Sequence, residues 1–248
     1  KSQITKLKKE GIDTVEKLAK SNIEKIKSKI NKASLERLNH QANLQEEKRL
    51  TGKSKYVVLD QVEDQGFYKL PKPNDGDLFF DIEGFPESNK RNLEYLHGLY
   101  FKDKEKKIFK YFYVEDNTRE SEFKIFKDLI IFLKKRFEKY PDAYIYHYND
   151  YETRALKELA SEYSGIFPEG NNLLDFLLRN QKFVDLYRIV EHTLRTSEKD
   201  LSLKSLEKFY RKEREANIKT AADSIRLYDN WCSTKDDKIR DDIIHYNE

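Results

Sequence analysis

The chain has 248 residues, which suits one medium α/β domain with a small appendage. Hydrophobic and charged residues each make up 38%, so a modest core lies under a heavily charged surface, and 15 Phe, 16 Tyr and one Trp must supply much of the buried area. With only 8 Gly and 5 Pro the chain is neither collagen-like nor disordered, and its net charge of +3 lacks the basic excess that announces a nucleic-acid partner on its own.

The first fifty residues read as helical. Ile4, Leu7, Ile12, Val15 and Leu18 recur at roughly helical spacing, interrupted at Gly11. That pattern predicts a short helix, a tight turn at Glu10-Gly11-Ile12 and a second helix opening at Asp13 or Thr14. Two more helices are expected, the last carrying Leu35, Leu38, Ala42 and Leu44. Residues 1–52 are therefore taken as a small all-α domain, 53–76 as a linker with a strand at Tyr56 to Leu59, and 77–248 as the main domain. Leu70 to Gly76 is turn-rich.

Three strands are expected next, Leu78 to Glu83, Tyr95 to Phe101 and Ile108 to Val114, the last two forming a hairpin. Phe123, Phe126, Ile130, Leu133 and Phe137 form one apolar helical stripe, which ends at Tyr140-Pro141-Asp142. Ala143 to Tyr148 reads as a strand and Glu152 to Tyr163 as a helix. Phe183 to Leu186 reads as a fifth strand or a helix entry. The remainder, Leu203 to Tyr210, Ala221 to Cys232 and Lys238 onward, is helical. A three-stranded meander followed by helix, strand, helix and a strand-like segment is an α/β sheet with helices packed on it.

Apolar runs are too short to span a bilayer, and the first residues lack the apolar stretch of a secretory signal. The single cysteine, Cys232, excludes an intramolecular disulfide and fits a reducing cytoplasm, the expected location. On the stripe of Ala221, Ile225 and Tyr228 it reads as a small buried hydrophobe. Met is absent, position 1 included, so the sequence is expected to be a piece of a longer protein or trimmed at its start.

The sharpest chemical feature is Leu78-Phe79-Phe80-Asp81-Ile82-Glu83-Gly84. A strand alternates sides, so Asp81 and Glu83 share a face, with Phe80 and Ile82 on the other. Burying two like charges is costly unless a cation lies between them, and Mg²⁺ or Mn²⁺ suits such hard oxygen donors. A pair of such ions activates water and stabilises the leaving oxygen of a phosphodiester. The plain alternative is a strand end with two solvated acids. Asp150 and Glu152 open a helix, where acids commonly serve as caps or dipole partners, yet that place beside a strand end also presents a third metal ligand. His97, His147 and His192 are isolated in the sequence and read as ordinary core or surface residues.

The chain resembles the DEDD superfamily of 3′–5′ exonucleases, and within it the YprB-type, predicted RecB-family nuclease branch. The resembling stretches are Gln41-Ala42-Asn43-Leu44-Gln45, Leu70-Pro71-Lys72-Pro73, Gly76 to Gly84, Glu94-Tyr95-Leu96-His97-Gly98-Leu99, Val184-Asp185-Leu186, Ser202 to Glu207 and Tyr246-Asn247-Glu248. The resemblance implies an RNase H-like mixed sheet flanked by helices. It implies that Asp81 and Glu83 are the acids of the first motif and that Glu152 stands in the second, with Asp150 behind it. The family's His-Asn-x-x-Phe-Asp spacing is not reproduced, since Asn149 lies one residue too close. In the third motif, Tyr-x-x-x-Asp, Tyr246 matches the Tyr that helps place the attacking water, and the expected Asp would fall just past Glu248. Tyr246 also lies on the apolar stripe of Ile239 and Ile243, which fits a core role. Asp185 matches a position with a supporting or capping role.

Leu7-x-x-x-Gly11-Ile12-x-Thr14-Val15-x-x-Leu18-Ala19 is similar to a helix-hairpin-helix element, which holds phosphates through backbone N–H groups. Lys6, Lys8, Lys9 and Lys17 would add salt-sensitive contacts. The expectation is a two-metal hydrolase, a 3′–5′ exonuclease acting on a single-stranded end of DNA or RNA, working beside other nuclease or helicase modules of its parent chain. Two readings from other classes stay open: a nucleic-acid-binding module with a degenerate or incomplete site, and a structural or interaction domain.

Overall fold

In the computed structural model, which describes residues 2–87, 91–210 and 221–248, the chain opens with α1 (Ser2–Lys9) and α2 (Val15–Lys20). Gly11 takes φ 76° in the turn between them, and Thr14 caps α2 by accepting the Lys17 amide. α3 (Lys32–Thr51) then runs from an Asn31 cap to Gly52, whose left-handed φ of 71° ends it. Of the two further helices expected after α2, only the last forms, as α3. Between Ser21 and Asn31 a 3-10 turn, Ile23–Lys25, forms instead, with the Asn22 side chain accepting the Glu24 amide in competition with helical bonding.

β1 (Tyr56–Val58) precedes the meander of β2 (Leu78–Phe85), β3 (Leu93–Asp103) and β4 (Lys106–Tyr113). Then come α4 (Arg119–Lys139), β5 (Ile145–His147), α5 (Tyr151–Glu162), α6 (Pro168–Arg179) and β6 (Phe183–Asp185). α7 (Leu186–Thr193), β7 (Leu194–Thr196) and α8 (Leu203–Glu207) follow, and α9 (Ala221–Thr234) and α10 (Asp237–Asn247) close the described chain. Both readings of Phe183 to Leu186 hold in part, because a three-residue strand runs straight into a helix. α6 and β7 were not foreseen. No helix among the described residues is long and apolar enough to cross a membrane.

The chain forms two compact units. The described residues of one lie within 2–69 and 187–210; those of the other are 70–87, 91–186 and 221–248. The first unit buries Leu7, Leu18, Leu35 and Ala42 among its helices. A strand as short as β1 is unstable alone, and it finds its antiparallel partner in β7, with Tyr56 opposite Thr196. Residues 187–210 therefore join the N-terminal residues, rather than lying in one continuous domain from 77 onward, and the strand expected within 53–76 forms as β1. Around β7, Glu198 accepts from Lys48, Lys208 and Ser54, which hold its carboxyl down at about 2 against the cost of burial.

The second unit is an α/β domain. Among the described residues its five-stranded sheet has the order β4-β3-β2-β5-β6, with β2, β3 and β4 antiparallel and β2, β5 and β6 parallel. Leu78, Phe80, Ile82, Leu99 and Ile145 on one face pack with Phe126, Leu129 and Leu133 of α4, Leu156 and Leu159 of α5, and Leu174 and Leu177 of α6. Each such side chain contributes about 1.5–3 kcal/mol through burial. On the opposite face, Leu93, Tyr95 and Leu96 pack with Tyr228 and Trp231 of α9 and Ile243 of α10. Cys232 is half-buried at the edge of that second cluster.

Two buried charges tie these layers. Arg136 on α4 donates to the carbonyls of Gly76, Asp75 and Lys102, and so fixes the helix to the start of β2. Glu122, fully buried, accepts from Arg91, Arg119, the Tyr163 hydroxyl and the Glu94 amide. Burial pushes its carboxyl up, but these donors prevail and hold it below its ordinary range.

Candidate active site

β2 alternates cleanly. Leu78, Phe80 and Ile82 are buried in the helix-covered core, while Phe79, Asp81 and Glu83 project from the other face. Asp81 lies opposite Gly98 of β3, and a bulge follows Glu83. β5 pairs with β2 only at Leu78 and Phe79. Asp81 and Glu83 therefore lie beyond the end of β5, along an edge that no strand among the described residues closes.

The chain leaving β5 turns into that opening. Asn149 takes φ 76°, and its amide donates to Asp185 Oδ1 at 2.9 Å. Asp185 thus braces the turn. Asp150 is exposed at the head of α5 and makes no side-chain cap bond. Tyr151 lays its hydroxyl over Gly84, where an added Cβ would meet it at 2.2 Å, and donates to Glu94 at 3.0 Å. Anchored by Tyr151, the next residue, Glu152, is buried at 4% exposure.

Asp81, Glu83 and Glu152 come together here. The Asp81 carboxyl is pushed well above the usual range by its crowded surroundings, then by the like charges of Glu83 and Glu152. Protein atoms crowd Asp81, yet its side chain is open to water. Water reaching the group offsets desolvation, so the two neighbouring acids are the more durable cause. Tyr95 points its hydroxyl at Glu83 Oε2, 3.5 Å away, and bonds Ser224 at 2.8 Å.

His147 is not isolated, contrary to expectation from the sequence. Its Nδ1 lies 3.4 Å from Glu152 Oε2, and both side chains are buried. Neither atom has a hydrogen-bond partner among the described residues. The isolation expected of the other histidines fits better. His97 is fully buried beside Phe80, its ring nitrogens unpartnered among the described residues, and burial lowers it to about 4. His192 is exposed on α7.

From α10 the side chain at Asp81 is that of Asn247, which donates to Asp81 Oδ2 at 2.7 Å. Tyr246, the residue singled out from sequence, packs with the α9 and α10 cluster beside Ile239. Asn247 lies in the resembling stretch Tyr246-Asn247-Glu248, but that stretch assigns it no role. The one available signal was Gly98, which sets no side chain opposite Asp81.

Among the described residues no three His, Cys, Asp or Glu side chains stand in an arrangement that holds a metal ion as placed. The donor chemistry nonetheless fits one. Asp81, Glu83 and Glu152 offer hard carboxylate oxygens, a divalent cation relieves the repulsion that raises Asp81, and the buried Glu152 Oε2 lacks a partner among the described residues.

No curated protein and no solved structure matches the chain. Residues 78–248 match the RNase_H_2 family of the RNase H superfamily. The match begins on β2, the strand of Asp81 and Glu83, and takes in every strand of the five-stranded sheet. Enzymes of this superfamily are generally hydrolytic nucleases acting on nucleic acids, and they typically use divalent metals. Covering well over half its length, the match shows that the chain belongs to the RNase H superfamily.

Proposed function

We propose that this chain hydrolyses phosphodiester bonds of DNA or RNA, removing nucleotides from the 3′ end of a single strand, with Mg²⁺ or Mn²⁺ held by Asp81, Glu83 and Glu152. The observation that carries the proposal is the meeting of these three carboxyls at the open edge of β2, two from one strand face and one from the head of α5. A pair of divalent ions, when bound, supplies hydroxide at neutral pH and neutralises the leaving 3′ oxygen. Asp81 and Glu83 present oxygens from a rigid central strand. Glu152 is aimed by the Asn149 turn and by Tyr151, with His147 flanking its free oxygen. Asn247 orients Asp81 through its N–H. We assign Tyr246 the placement of the attacking water, a role that rests on the resemblance to DEDD exonucleases, as does the 3′ to 5′ polarity.

The N-terminal hairpin around Gly11 is assigned the grip on phosphates, in the manner of a helix-hairpin-helix element. Lys17 is held by Asp13 and Lys6 by the Lys29 carbonyl, so the exposed Lys8 and Lys9 are the cations for that contact. The chain is read as one module of a larger cytoplasmic nucleic-acid-processing protein.

The absence of a three-ligand arrangement among the described residues favours one rival, a module that binds nucleic acid without cutting it. End-labelled oligonucleotides incubated with Mn²⁺ separate the two. Cleavage by the native chain, lost in Asp81→Ala with binding retained, supports the nuclease. Binding without cleavage by either form supports the module.

A further inference from the structure

A line of aromatic residues crosses the sheet on the face that bears Asp81. The register places Phe79 of β2 between Tyr146 of β5 and Tyr100 of β3, and Tyr100 next to Phe109 of β4. Paired residues share a face, so the four rings form one row. Phe79 is 51% exposed and stacks on Tyr146 at 5.2 Å with an interplanar angle of 21°. Tyr100 and Phe109 are half-buried, and Tyr111, 44% exposed, lies 6.0 Å from Phe109. Tyr111 pairs with Gly98, which pairs with Asp81. The row is thus one alternation along β2 from the acids. Tyr146 is buried and backs Phe79, while Phe79 and Tyr111 are open, and exposed rings side by side are costly to leave in water.

We propose that this row is a stacking platform for the bases of a single-stranded nucleic acid whose backbone passes Asp81 and Glu83. The proposal rests on the nuclease reading for its direction, since it places the platform beside the scissile phosphate. Charge on the face agrees. On the side of the row away from Asp81, Lys102 pairs with Lys107, and both are exposed. Among the described residues Lys102 has a 3.7 Å contact with the exposed Glu105, while Asp77 is taken up by the Asn74 and Tyr144 amides. Cations for phosphates thus lie on one side of the rings and metal-holding acids on the other. A duplex hides its base faces and gains nothing from such a row, whereas unpaired bases stack on it whatever their sequence.

The test is equilibrium binding of the full chain, in EDTA so that nothing is cut, to fluorescent strands of about 12 nucleotides, a length within the span of known single-strand sites. The probes are oligo(dT), oligo(U), an abasic strand of equal charge and a duplex. The expected result is binding of a base-bearing strand about tenfold tighter than the abasic strand. Phe79→Ala with Tyr100→Ala should abolish that margin and leave abasic binding unchanged, and Phe79→Trp should restore it. The thymidine and uridine arms show whether DNA or RNA is taken, and a margin over the abasic strand in either supports the proposal. Equal affinity for base-bearing and abasic strands overturns it, as does a margin that survives in a folded double variant. Self-association of the native chain lost in Phe79→Ala, without base-dependent binding, also overturns it and assigns the face to a second copy. Cleavage in Mn²⁺ is scored separately. A base margin without cleavage removes the nuclease reading and keeps the platform, while cleavage without a margin does the reverse.

Discussion

Asn247 on the last helix and Asp81 on the central strand, 166 residues apart, are joined by a 2.7 Å hydrogen bond that passes over Gly98. The Asn247 Oδ1 is buried and lacks a hydrogen-bond partner among the described residues. A Cβ at position 98 would lie 1.9 Å from that oxygen, so the glycine is what lets α10 reach the acid. Gly98→Ala should cost about 1–3 kcal/mol through overpacking, and Asn247→Ala about 1 kcal/mol through the lost bond. Because both act on one contact, the double variant should fall short of their sum. Urea unfolding of the four proteins checks this.

Like-charge crowding at Asp81 makes a second prediction. Asp81→Asn removes one of three neighbouring acids, so in EDTA it should melt above the native chain. Added Mn²⁺ should stabilise the native chain by binding linkage and leave the variant unmoved. Thermal melts with and without Mn²⁺ read both effects.

Glu122 is a fully buried carboxylate bound to two arginines and a tyrosine. Glu122→Gln leaves Arg91 with Glu162 and Arg119 with Glu87 as their remaining carboxylates, and the weakened charged hydrogen bonds should cost about 1.5–3 kcal/mol. Its pKa is depressed in the fold, so its contribution is present above the ordinary glutamate value and is lost as pH falls below it. The native chain should therefore lose more stability on acidification than Glu122→Gln does.

Glu94 and His97 oppose each other. Burial raises Glu94 to about 7, so its contribution is full below the ordinary glutamate value and is lost as pH rises through about 7. Burial lowers His97 to about 4, so its contribution is full above the ordinary histidine value and is lost as pH falls through about 4. Glu94→Gln should make stability climb more steeply with pH between these limits, and His97→Gln should do the opposite. Denaturant midpoints across that range measure the two slopes.

The alternation around Asp81 and the stripe of α4 were legible because each follows from one strand or one helix packing on one core. α6 carried a signal in Pro168 at its first turn and the Leu174 and Leu177 spacing, hidden by the loop-like Gly170-Asn171-Asn172. β7 was not legible. Three residues carry no period, and their partner β1 lies more than a hundred positions away. The pairings His147 with Glu152 and Asn247 with Asp81 depend on where β5 stops and where α10 docks, which is tertiary information that no local pattern holds.

Cation binding by Asp81, Glu83 and Glu152 is the property on which the proposed hydrolysis depends. Its most direct measurement is free Mn²⁺ by electron paramagnetic resonance during titration of the native chain, Asp81→Asn and Glu152→Gln. The native chain should take up Mn²⁺, and each variant should lose most of that uptake while remaining folded. Equal Mn²⁺ uptake in all three, or none in the native chain, would contradict that binding.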